Sequence, residues 1–189
     1  YFKLIKMIQL IGVSGKKRSG KDEFFKIFND FSGNIYDCTK FAGKLKTICS
    51  IITGQPEFKF YDGTYCDEYL PDWNMTVREI QQLIGTELFR NTLDKDVWVK
   101  SLFVDFKPND KWIITDVRFP NEIEAIKKHG GIIIRIENPN INNSNTHSSE
   151  TSLDNYNDWD YIIRNDGTLD EYKTKIKNFY EKINKGKIQ

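Results

Sequence analysis

The chain has 189 residues, 39% of them hydrophobic, which suits one compact domain with a substantial core. Lys and Arg number 28 against 27 Asp and Glu, a formal charge of +1. No basic field therefore marks a nucleic-acid partner, and an anionic ligand must be held by a local cluster of cations.

The first six residues precede Met7 and carry no weight in the reading. Residues 7–13 (MIQLIGV) form a short apolar run that stops at Ser14-Gly15, the pattern of a buried strand entering a tight turn. Residues 20–31 place Phe24, Phe25, Ile27, Phe28 and Phe31 on a helical face. A second strand is expected near 35–38. A helix over 45–52 is stopped by Gly54 and Pro56. Residues 55–75 show no clear period and read as an irregular insertion. Thr76-Val77-Arg78-Glu79 has the capping-box spacing that opens a helix, with Leu83, Ile84, Leu88 and Phe89 as its apolar stripe. Another helix is expected over 94–105. A strand over 111–116 ends in Asp116, a helix over 121–129 stops at Gly130-Gly131, and strands follow at 132–136 and 161–163. The polar stretch 138–151 between those strands reads as a loop able to move. Residues 169–183 close the pattern as an amphipathic helix with Tyr172, Ile176, Phe179, Tyr180 and Ile183 inward.

Strands alternating with helices indicate an α/β fold with a five-stranded, mostly parallel sheet flanked by helices. The expected organisation is a single domain over 1–189, with a helical insertion at about 55–105 and a lid-like loop at about 138–151. The apolar runs are too short to cross a bilayer, and no leader pattern stands out. Cys38, Cys49 and Cys66 lack C-x-x-C spacing, which fits reduced thiols. A cytoplasmic protein without a membrane partner is expected.

Gly15-Lys16-Lys17-Arg18-Ser19-Gly20-Lys21 fits G-x-x-x-x-G-K, the phosphate-binding loop. Its glycines let consecutive N–H groups turn inward onto phosphate oxygens, and the following helix adds the positive end of its dipole. Gly15, Lys17, Ser19 and Gly20 are thus candidate ATP contacts, with Lys21 reaching the β- and γ-phosphates. Asp22 stands where Ser or Thr usually serves Mg²⁺. A carboxylate there can hold the metal or simply favour the first helical turn. Asp116 ends a strand where ligands of open parallel sheets bind, and Arg118 follows. The acid can hold Mg²⁺ or polarise the attacking oxygen, while the arginine bridges phosphates.

SGKKRSGKD (14–22), VREIQQLIGTE (77–87), DKDVWVK (94–100), TDVRFPNE (115–122), THSSE (146–150) and NDGTLDE (165–171) together resemble the bacteriophage-type deoxynucleoside monophosphate kinases. The resemblance implies a P-loop NTPase of the nucleoside monophosphate kinase-like kind. It also implies transfer of phosphate from ATP to a deoxynucleoside monophosphate with Mg²⁺. It puts Gly20, Lys21 and Asp22 on the ATP side. Arg18, Arg78, Gly85, Thr86, Trp98 and Asp116 fall around the acceptor. Gln82 is a further candidate for the base, and His147 and Glu150 for the lid-like loop. Glu23, a further candidate on the ATP side, replaces a threonine usual in the family, and the 138–151 loop has no arginine. A viral source would place the protein in the host cytoplasm, and the sequence leaves homodimerisation open. Alternatives are an animal-type phosphomevalonate kinase, which shares the GKxxSGKD loop and a segment like 148–161, and a non-catalytic ATP-binding protein.

Overall fold

The computed structural model describes residues 8–141 and 147–186. Readings that touched residues 1–7, Thr146 and the middle of the lid-like loop (142–146) lie outside the described residues. In chain order the elements begin with β1 (Leu10–Ser14), α1 (Lys21–Phe31), β2 (Asp37–Thr39), α2 (Gly43–Thr53), α3 (Phe58–Tyr61), β3 (Tyr69–Leu70), β4 (Met75–Thr76) and α4 (Val77–Gln82). There follow α5 (Val97–Phe103), β5 (Trp112–Val117), α6 (Pro120–Lys128), β6 (Ile132–Glu137), α7 (Ser148–Thr151), β7 (Tyr161–Arg164) and α8 (Leu169–Asn184). The chain divides into two compact units, one formed by residues 1–40 with 107–189 and the other by Phe41–Phe106.

The first unit is built on a five-stranded sheet in the order β2-β5-β1-β6-β7, with parallel pairings throughout. This is the α/β architecture expected from the sequence. Strands covered on both faces need side chains that bury in both directions, and β5 and β6 supply them as isoleucine runs. β1 lies between β5 and β6, with Ser14 opposite Val117 on one side and Arg135 on the other. That register gathers the carboxyl ends of three strands. The crevice beyond such ends, where strand order reverses, is where open α/β sheets bind ligands.

One face of the sheet packs on α1 and α8. Phe24 and Phe28 stack at 5.4 Å between ring centroids, and Phe179 of α8 lies 5.7 Å from Phe28. Each fully buried phenylalanine of this cluster contributes about 1.5–3 kcal/mol relative to an exposed one. Tyr172, Ile176, Phe179 and Ile183 are buried as expected. Tyr180 packs at the edge of this core, against Phe28 at 5.5 Å.

In the second unit the capping box holds: Thr76 Oγ1 accepts from Glu79 N at 3.2 Å, and Glu79 Oε2 accepts from Thr76 N at 2.7 Å. Two features differ from expectation. The region read as irregular contains the small antiparallel pair β3–β4. The helix opened by Thr76 changes after six residues into a π-helical stretch, Leu83–Leu93. Its backbone bonds reach five residues back, as in Asp94 N to Phe89 O at 3.0 Å. The wider turn rotates the apolar stripe, so Ile84 is buried while Leu83 and Leu88 are exposed.

Candidate active site

The loop after β1 is held by its own lysine. Lys21 Nζ donates to Gly15 O at 2.7 Å and Lys16 O at 2.8 Å, and Ser19 N closes the turn onto Lys16 O at 3.1 Å. The backbone tolerates little else at the two glycines. A Cβ on Gly15 would stand 2.4 Å from Ser19 Oγ and 2.7 Å from Ile136 O. Gly20 has φ 104°, and a Cβ there would meet Asn165 Nδ2 at 2.6 Å. Gly20 also precedes α1, whose first N–H groups have no acceptor within the helix. Ser19 is 1% exposed, and among the described residues its Oγ is the buried side-chain polar atom with no hydrogen-bond partner. An orphaned hydroxyl beside a glycine cradle and a half-buried lysine is a site shaped for a polyanion.

The β5 end brings charge to this loop. Asp116 is 9% exposed. Arg118 pairs through Nη1 with Glu150 Oε1, and the Glu150 side chain is 6% exposed. Lys16 Nζ donates to the Glu150 carbonyl at 2.7 Å and pairs with Asp154. The single turn α7 is thus fastened to both the loop and β5. Burial lowers the Lys21 pKa to about 8, helped by the Arg118 charge. Glu150, Asp22 and Asp116 act in the opposite direction, which places both candidate metal carboxylates within electrostatic reach of the lysine.

Of the residues expected from the sequence, the first unit collects Gly15, Ser19, Gly20, Lys21, Asp22, Asp116, Arg118 and Glu150 around the loop. Asp22 Oδ1 pairs with Lys40 at 3.1 Å. Lys17 is half-buried, and Arg18 is exposed with a left-handed φ of 66°. Glu23 pairs with Lys26 at 3.5 Å along α1. His147 caps α7, accepting from Ser149 N at 3.2 Å through Nδ1. The remaining acceptor candidates lie in the second unit. Arg78 Nε pairs with Asp67 at 3.2 Å, and Gln82 is half-buried at the end of α4. Gly85 and Thr86 sit buried in the π-helical stretch. A Cβ on Gly85 would stand 2.6 Å from Leu45 Cδ2. Trp98 is buried, donating its indole N–H to Gly85 O at 2.8 Å and packing on Phe89 at 5.3 Å.

Sequence reasoning missed several residues that shape the site. Lys16 lies in the loop motif, Asn165 in a quoted segment and Tyr172 on the inward stripe of the last helix, but neither they nor Lys40 were singled out as site residues. Glu122 is another. It is 2% exposed, and its Oε2 accepts from Arg118 N at 2.7 Å and Phe119 N at 3.1 Å. It fixes the turn that carries Arg118. Glu122→Ala is expected to leave two N–H groups without this acceptor, at about 1–3 kcal/mol for each group left unsatisfied. A thermal melt should show a drop of several degrees, while Glu122→Gln, which keeps an acceptor oxygen, should lose much less.

The deoxynucleotide monophosphate kinase family model matches residues 69–176. A putative deoxynucleotide monophosphate kinase of Acanthamoeba polyphaga mimivirus is 32% identical over 184 residues, 88% of this chain and 93% of that protein. The chain belongs to the deoxynucleotide monophosphate kinase family. A second member, the deoxynucleotide monophosphate kinase of Enterobacteria phage T4, is 34% identical over 108 residues, which are 54% of this chain and 44% of the phage protein. Dephospho-CoA kinase from Campylobacter jejuni superposes with a TM-score of 0.49 at 15% identity, over 96% of this chain and 100% of that one. Membership of this family favours the nucleotide reading of the sequence over the phosphomevalonate one. Among the described residues no helix is long and apolar enough to cross a membrane.

Proposed function

We propose that the chain transfers the γ-phosphoryl group of ATP to the phosphate of a deoxynucleoside monophosphate, giving ADP and the deoxynucleoside diphosphate. The observation that carries this reading is the glycine-bounded loop, with Lys21 folded onto it and Arg118 close enough to depress the lysine pKa. An acceptor phosphate oxygen attacks Pγ, the bond from Pγ to the bridging oxygen breaks, and ADP leaves with the electron pair. The loop N–H groups and the start of α1 take the non-bridging oxygens of ATP. Lys21 follows the charge as it moves onto the leaving oxygen. Arg118 neutralises the phosphoryl group in flight, and Asp116 orients the acceptor or its metal.

The described residues bring together no group of three or more His, Cys, Asp and Glu able to cage a cation. Mg²⁺ is commonly held by one or two carboxylates together with substrate phosphates and water. Asp22 and Asp116 are the residues that would hold it, and bound Mg²⁺ would supply positive charge against the phosphates. Acceptor recognition is assigned to Arg78, which can grip a phosphate bidentately, with Gln82 and Thr86 as polar partners for the base.

A coupled ADP-release assay over a panel of deoxynucleoside monophosphates, ribonucleoside monophosphates and phosphomevalonate tests the reading. Release dependent on deoxynucleoside monophosphates supports it; turnover with phosphomevalonate but not with nucleotides would overturn it. In the same assay Arg78→Ala should raise the acceptor KM by about tenfold or more, since a charged phosphate contact is lost, with the ATP KM little changed.

A further inference from the structure

The loop N–H groups can face a ligand only if the carbonyls that flank them are held elsewhere, and four loop carbonyls have defined partners. Gly15 O and Lys16 O accept from Lys21. Ser19 O accepts from Asn165 Nδ2 at 3.0 Å, and Gly20 O accepts from Tyr172 Oη at 3.1 Å as well as from Phe24 N at 2.8 Å. Asn165 is itself fixed at the end of β7 by its N–H bond to Glu137 O at 2.7 Å, and Tyr172 is buried in the first turns of α8. Two side chains from the far end of the sequence thus clamp two consecutive peptide groups of the loop. Turning either peptide would break a hydrogen bond and would swing a carbonyl oxygen toward the phosphates.

We propose that Asn165 and Tyr172 are positioning residues for the phosphate loop, setting its affinity for the triphosphate by fixing the Ser19 and Gly20 peptide planes without touching the nucleotide. The inference rests on the loop being the ATP site. It predicts an effect confined to phosphates. Loss of either hydrogen bond lets the loop sample orientations that bind no anion, and the apparent affinity falls by the fraction lost.

The test compares full-length wild type, Tyr172→Phe and Asn165→Ala by titration with ATP and with inorganic tripolyphosphate, alongside the acceptor KM. Tyr172→Phe keeps the buried ring, so folding is preserved. Each variant is expected to bind both ligands about threefold to tenfold more weakly, the range of one net hydrogen bond, with the acceptor KM unchanged. Affinities equal to wild type, or a lower melting temperature with unaltered affinity, would reduce the two residues to structural ties and overturn the proposal. Weaker ATP binding with normal tripolyphosphate binding would also overturn it, by placing the side chains against the base or ribose. Should wild type itself bind neither ligand, the reading of the loop as an ATP site falls, and the proposal with it.

Discussion

Lys21→Ala is expected to lower kcat by about two to three orders of magnitude while the protein stays folded. The lysine is the group best placed to move with charge, because its ammonium rests on the Gly15 and Lys16 carbonyls of the loop proposed to hold the phosphates. Its removal takes away a desolvated cation, so folding should not suffer in proportion. The pKa near 8 gives a second readout. The folded value lies below the ordinary 10.5 of the unfolded chain, so between those values the unfolded state binds more protons and stability rises with pH. That relief is complete above about 10.5 and is lost as pH falls through about 8. Denaturant melts of wild type across this window should show the rise, and Lys21→Ala should lack it. ATP binding has the opposite sign. Phosphate favours the charged ammonium, so wild-type affinity should decline above about pH 8, approaching tenfold per pH unit. Lys21→Arg remains charged and should show a flat profile over the same range. A folded Lys21→Ala protein with wild-type turnover would remove the lysine from the mechanism.

Parts of this site were legible because their signals are local. The isoleucine-rich strands, the G-x-x-x-x-G-K spacing and the Thr76–Glu79 capping box each lie within a few consecutive residues, and each appears as expected. The π-helical stretch was hidden because apolar spacing does not reveal a shift from four-residue to five-residue hydrogen bonding. β3 and β4 have two residues each, too few for alternation to register. The clamps on the loop were hidden for another reason. Asn165 and Tyr172 meet Ser19 and Gly20 across 146 and 152 residues of sequence, so their roles depend on the assembled sheet. Glu122 sits in a first helical turn, where an acid needs no further explanation, yet its carboxylate turns inward to hold the Arg118 backbone. Trp98 joined the expected ligand set through family resemblance, and its indole N–H lies on Gly85 O within the second unit.

Arg118→Gln should cost turnover on a scale near that of Lys21, about a hundredfold, and should separate the two roles through pH. In the described structure the guanidinium is engaged by Glu150, and on the proposed mechanism a phosphoryl oxygen takes over as its partner. The Arg118 side chain is 38% exposed but that of Glu150 only 6%, so Arg118→Gln takes this cation from a buried carboxylate and should also lower stability. Arg118→Lys keeps the charge without the planar fork and should recover only part of the rate. The decisive consequence concerns Lys21. Because Arg118 helps to hold the lysine pKa down, Arg118→Gln should move the alkaline decline in ATP affinity to higher pH. An arginine that served only to brace α7 through Glu150 would change the melting temperature and leave both turnover and that pH profile where they were.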